Sequence, residues 1–284
     1  MKKLKITSIK KLNKNNDRYD ITVNATSNFY ANGILVHNSN AVFSNILVKR
    51  KLSFIEKTAK FFGAKIQETE YDYVWSSRKV IKNRVEGQIL DPEDVWNCAA
   101  KSLEGCIEPG ISLYTEIVGQ KPTGAWIQGQ YDYGTGPKQH AVYVFRITHT
   151  DSTGKVREFS TLQVQEYCER YNLNVCPVFF YGKAHNYLNL FSTKTVMEGE
   201  LIKFEEEDIR YWREKLLEKL VSQFNEKDCY MCKNQVPEEG VVIRKEGSKF
   251  EAFKLKSLRF LKKETDDLDK QEKVDTFENN EDEE

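Results

Sequence analysis

The sequence predicts an α+β fold, and three observations carry that expectation. Asn32-Gly33 stands between two short apolar, β-favouring runs, and it is the dipeptide that best suits a tight primed hairpin turn. Beyond Gly110 the chain turns to strand-like runs at residues 111–118, 141–148 and 157–164. Residues 208–224 then place Ile209, Trp212, Leu216, Leu217 and Leu220 at the 3.6-residue period of an amphipathic helix. The expected organisation is a β-rich segment over 1–38, an antiparallel sheet with flanking helices over 39–262, and an acidic tail over 263–284.

Taken in order, residues 2–23 alternate bases with Leu, Ile and Val, and read as two short strands around a polar turn at 13–18. Seven bases fall in the first 18 residues, either as a solvated face or as charge complementary to an acidic partner. From Ser39 to Lys51 the chain is apolar and β-like, and residues 53–62 read as a helix ending at Gly63. Trp75-Ser76-Ser77-Arg78-Lys79 is polar punctuation. Asp91-Pro92-Glu93-Asp94-Val95 has the form of a helix start, with Asp91 as cap and Pro92 in the first turn. The glycine-rich loop over 124–136 lacks the GxxxxGK[ST] spacing of a phosphate-binding P-loop. Residues 239–244 and 251–255 read as paired strands across a turn, and the chain from Glu264 onward reads as disordered.

The end of the first hairpin carries chemistry. In His37-Asn38-Ser39 the Asn38 amide can attack its own carbonyl, closing a succinimide and releasing the amine of Ser39. His37 can donate a proton to the departing nitrogen, and the Ser39 hydroxyl can first accept an acyl group. With Tyr19-Asp20-Ile21-Thr22-Val23 upstream, these residues resemble the C-terminal blocks of an intein, in which His-Asn ends the intein and a Ser, Thr or Cys begins the flanking sequence. The resemblance implies that Asp20 assists splicing. It also implies that residues 1–38 are only the C-terminal piece of a split Hint module, with the N-terminal piece on another chain.

A second constellation follows the junction: Ser77-Arg78, then Leu113-Tyr114-Thr115-Glu116-Ile117-Val118-Gly119, then Glu239-Gly240-Val241-Val242-Ile243-Arg244, then Phe253-Lys254-Leu255-Lys256-Ser257. Strand alternation puts Lys254 and Lys256 on one face, where two adjacent cations suit a phosphate pair. In this order the pieces resemble the covalent nucleotidyltransferases, and specifically the phage RNA ligases. In that family Ser39-Asn40-Ala41-Val42-Phe43 would follow an active-site Lys-x-(Asp/His)-Gly, and this chain has only the second half of the motif. The resemblance implies an adenylylation domain and these roles: Arg78 on AMP or the 5′-phosphate, Glu116 on the ribose, and Phe145 stacked on adenine. Glu239 would hold a divalent metal or the nucleotide, and Lys254 and Lys256 would neutralise the triphosphate. An acid is more usual in the family where Arg146 stands. ATP, Mg²⁺ and RNA are the implied cofactors and substrate, with lysine adenylylation, AMP transfer to an RNA 5′-phosphate, and attack by a 3′-hydroxyl. The lysine would come from the partner chain through trans-splicing, and this chain alone is expected to be inactive as a ligase. Only 28 residues follow Lys256, too few for the OB-fold that DNA ligases and capping enzymes place there, so RNA ligase is preferred to DNA ligase.

Charge and composition set the remaining bounds. The net charge of zero conceals a tail from Glu264 with 11 acids and 2 bases, leaving 41 bases and 32 acids elsewhere. A basic body suits a polyanionic partner, although the excess is spread over a long chain. No apolar run is long enough for a membrane span, and the N-terminus lacks the apolar core of a signal peptide. A cytoplasmic protein with reduced thiols is expected, in the infected bacterial host if the source is a phage. Cys229-Tyr-Met-Cys232 has the spacing of half a zinc site without a second pair, and a structural role is expected. The competing readings are a nucleic-acid-binding accessory with an incidental hairpin, and a relic whose intein no longer splices.

Overall fold

The computed structural model describes residues 40–77, 81–83, 94–129, 131–182, 187, 206–224, 227–247 and 250–269, and four two-residue strands before them. Among those strands, β1 (Lys10–Lys11) pairs antiparallel with β2 (Tyr19–Asp20). Strand β3 (Tyr30–Ala31) pairs with β4 (Ile34–Leu35), Tyr30 opposite Leu35 and Ala31 opposite Ile34, as an Asn-Gly hairpin requires.

The main sheet grows from β5 (Asn40–Lys49), whose Ala41 and Phe43 are buried while Asn40 and Val42 are half-buried on the opposite face. Its two edges pair antiparallel with β6 (Thr69–Ser77) and β7 (Ile111–Gly119). Strand β8 (His140–Thr150) continues antiparallel from β7. The far edge of β8 carries β9 (Val156–Glu158), antiparallel, and β10 (Asn174–Val175), parallel. Trp75, Ser76 and Ser77 therefore belong to a strand rather than to the punctuation expected there. The full pairing of β6 with β5, from Ala41↔Ser77 to Lys49↔Thr69, outweighs the polar local sequence.

Helix α1 (Phe54–Phe61) joins β5 to β6 and begins and ends where the sequence indicates. Ser53 Oγ accepts from the Glu56 amide at 3.3 Å while the Ser53 amide donates to Glu56 Oε2 at 2.8 Å, a reciprocal capping box. The Ser53 amide, followed by the Arg50 guanidinium at 2.5 Å, lowers the Glu56 carboxyl from 4.5 to about 2. Because the folded value is depressed, this contribution is complete above the ordinary carboxylate range and is lost as pH falls toward the folded value. Amide exchange in the first turn of α1, compared with a Glu56→Ala variant, which has no side-chain acceptor, is expected to show protection at pH 6 that the variant lacks, with the difference narrowing as pH falls toward 2. Equal protection at pH 6 would overturn the cap assignment.

Helix α2 (Val95–Ser102) starts three residues later than expected. Its cap is Asp94, which accepts from the Trp96 amide at 2.8 Å; Asp91 and Pro92 lie outside the described residues. Of the strand expected over 157–164, only residues 157–158 belong to a strand, β9, and residues 161–164 open a helix, α3 (Thr161–Arg170). Ser160 and Gln163 form a second capping box that ends β9 and turns the chain. Helices α2 and α3 bury Val95, Ala99, Val164, Tyr167 and Cys168 with Phe43, Leu113, Ile117, Val144 and Ile147 in the main core. Tyr73 and Tyr167 reach in with polar tips satisfied, donating at 2.8 Å to the carbonyls of Ala100 and Cys106.

Helix α4 (Glu206–Phe224) forms where its period predicts, with Leu220 buried and Leu216 half-buried, but Leu217, expected on the same face, is exposed. Strands β11 (Gly240–Lys245) and β12 (Glu251–Lys256) pair antiparallel as a separate ribbon. Helix α5 (Leu258–Asp269) follows and reaches six residues into the segment expected to be disordered. Phe260 is buried, so the first turn is nucleated by packing and each further residue adds a hydrogen bond at little cost. Phe260 joins Tyr131, Cys229 and Val236 in a second, smaller core. All six cysteines are free thiols. Among the described residues no helix is long and apolar enough to cross a membrane.

Candidate nucleotide site

The face of the main sheet turned away from the core and the β11–β12 ribbon bound the site. Arg146 ties them together. Its guanidinium lies 4.1 Å from the Tyr114 ring centre on the sheet and 4.3 Å from that of Phe250 beside the ribbon. Its Nε donates to Glu158 at 3.0 Å. A second strut is Arg244, which donates to the Phe159 carbonyl. The residue that departs from the family's usual acid is thus engaged in fastening the two halves.

Four of the residues singled out by sequence sit on these strands. Glu116 is half-buried on β7, opposite Asn40 on one side and Tyr143 on the other. Phe145 occupies a β-bulge, because Thr115 faces Val144 and Tyr114 faces Arg146, leaving Phe145 as the extra residue. The bulge keeps Phe145 out of the core between buried Val144 and Ile147, and leaves it 38% exposed. Glu239 stands immediately before β11 and its carboxylate contacts the Lys254 ammonium. Lys254 lies opposite Val242 and Lys256 opposite Gly240, so both lysines share a ribbon face, as alternation predicts. Lys256 Nζ lies 4.9 Å from the centre of the Phe260 ring.

The ribbon is held in register by Gly240. At φ +134° it adopts a conformation that side-chain-bearing residues avoid, and a Cβ there would run into the Leu255 carbonyl. Glu239 is thereby kept next to the strand that carries Lys254.

A brace that the sequence did not reveal is the loop joining β7 to β8. Tyr133 donates its hydroxyl to Gln128 Oε1 at 2.8 Å, and Gln128 Nε2 donates to Glu239 Oε2 at 3.3 Å. Tyr131 donates to the Pro237 carbonyl at 2.8 Å. Burial, reinforced by Glu239 at Tyr131 and first by the Cys232 and Cys229 thiols at Tyr133, pushes both hydroxyls far above the ordinary tyrosine range, so they act as permanent donors. The available sequence signal was Tyr131-Asp132-Tyr133 in a loop otherwise read only for its glycines.

Among the described residues no group of three or more His, Cys, Asp or Glu side chains could hold a metal by itself. Glu239, the implied metal residue, has one carboxylate oxygen on the Lys254 ammonium and the other on the Gln128 amide, so a hard ion such as Mg²⁺ would be held there largely by phosphate and water. Arg78, His37, Asn38 and Ser39 lie outside the described residues, and Asp20 is described only as backbone in β2.

The RNA ligase family model matches residues 54–262, a span that includes α1, the strands from β6 to β12 and the start of α5. The chain belongs to the RNA ligase family. None of the curated proteins compared matches it. Within the ligase, the matched span contains Glu116, Phe145, Glu239, Lys254 and Lys256 together with their struts and brace.

Proposed function

We propose that this ligase is ATP-dependent, joins RNA 5′-phosphate and 3′-hydroxyl ends, and becomes active after trans-splicing. A partner chain would supply the N-terminal intein piece and the active-site lysine. The observation that carries the ligase reading is the Glu239–Lys254 contact on a ribbon that Arg146 and Arg244 fasten to the sheet bearing Glu116. Lys254 and Lys256 would stabilise charge developing on the departing pyrophosphate. Glu116 would position the ribose, Phe145 would offer its exposed ring to adenine, and Arg78 would meet the AMP or the RNA phosphate. Mg²⁺, held in part by Glu239, would neutralise phosphate charge.

The splicing reading is supported by connectivity. Asn40, two residues beyond the proposed cleavage point, is the cross-strand partner of Glu116. A lysine motif joined through Ser39 would therefore enter the sheet beside the nucleotide carboxylate.

The test mixes the full chain with a partner that carries an N-terminal intein piece preceded by Lys-x-His-Gly or Lys-x-Asp-Gly. Intact mass is expected to show a joined product and a released 1–38 peptide, and ³²P from α-labelled ATP is expected only on the joined product. Unchanged mass, with no effect of Asn38→Ala, would refute splicing. Label on this chain alone would refute the external lysine.

A further inference from the structure

Three segments far apart in sequence build an aromatic surface that the nucleotide site does not use. Phe179 lies just after β10, Phe224 at the end of α4, and Tyr230 in the turn before β11. The Phe179 ring centre lies 5.1 Å from that of Phe224 and 5.3 Å from that of Tyr230, the latter pair inclined at 70°. Phe179 and Tyr230 nevertheless remain 52% and 59% exposed, beside exposed Phe180 and Tyr181. So much aromatic area left in water marks an interaction surface.

We propose that Phe179 and Tyr230 form a stacking platform for a single-stranded RNA end on its way to the ligase site. The inference rests on the ligase reading above, and adds the form of the substrate. Position is the first argument. Strand β10 pairs with β8 at Tyr143 and Val144, and Tyr143 is the partner of Glu116. Phe179 follows Val175, the last residue of β10, by four positions, so the chain runs from the sheet edge beside Tyr143 directly into the aromatic surface. Charge is the second. Exposed Lys227 and Lys233 bracket the turn that carries Tyr230. Aromatic faces interleaved with cations suit unpaired bases on a phosphate backbone, whereas an A-form duplex keeps its base faces stacked inside.

The test measures binding of the full chain to a single-stranded RNA of about 12 nucleotides across a salt series. Phe179→Ala and Tyr230→Ala are each expected to weaken binding about tenfold, and Tyr230→Phe to bind like the parent. The ring variants should leave the salt slope unchanged, while Lys227→Ala and Lys233→Ala should each reduce it by about 0.7. Binding of a blunt duplex should be indifferent to the rings. Both aromatic residues are exposed, and unfolding curves of each variant control for folding. Ring variants that bind like the parent would overturn the platform, as would a Tyr230→Phe variant as weak as Tyr230→Ala. So would a parent that binds no single strand, or a dimer that Phe179→Ala dissolves with RNA affinity unchanged. Labelling by ATP of the joined product tests the ligase reading separately, so the two failures are distinguishable.

Discussion

Gly240→Ala is expected to detach the ribbon from its register and to lower the melting temperature of the full chain. The added methyl would press on the Leu255 carbonyl and approach the Lys256 Cα to 2.9 Å, and both obstacles are backbone. Neither can rotate away as a side chain could. Relief requires breaking the Gly240↔Lys256 pairing, on top of the strain of φ +134° in a residue with a Cβ. Together these amount to about 3 kcal/mol, or a fall of about 6–12 °C for a domain of this size. Hydrogen exchange should localise the loss to residues 240–256. Unchanged melting and exchange would mean that the ribbon does not depend on this close approach.

Lys254→Ala is expected to reduce adenylylation of the joined ligase by about 10²–10³-fold, the scale of removing one charge-stabilising donor from a site that excludes water. The substitution also removes the Lys254 ammonium from Glu239, to which Gln128 still donates. The two side chains are only 18% and 21% exposed, so losing that ion pair costs about 2 kcal/mol of stability as well. Urea unfolding separates the two effects, and Lys57→Ala, exposed on α1, serves as a charge control. A rate loss under about tenfold, measured where the variant is fully folded, would remove Lys254 from the chemistry.

How legible these features were depended on the distance over which each is decided. The Asn32-Gly33 hairpin, the Ser53 cap, the α4 helix and the shared face of Lys254 and Lys256 are local, and structure follows sequence at each of them. Errors arose where two local signals competed. Residues 157–164 alternate well enough for a strand, yet Ser160 and Gln163 cap a helix inside that run. Asp91 precedes a proline suited to a first turn, yet Asp94 is the residue whose carboxylate meets the helix amide. The bulge at Phe145 had no sequence mark, because it is a mismatch between two strands and belongs to neither alone.

By itself the sequence determined the locally encoded parts: the Asn32-Gly33 hairpin, helices α1 and α4, the pairing of β11 with β12, and that the first half of the lysine motif does not precede Ser39. Turn chemistry, periodicity and motif spacing act over a few residues, so they survive without a fold. Only the tertiary structure decided that Gln128 braces Glu239 across 111 positions of sequence, and that Arg146 is a strut between Tyr114 and Phe250. Such contacts come from strand register and the stacking of a ribbon on a sheet, and no local pattern encodes which distant partner a side chain will meet.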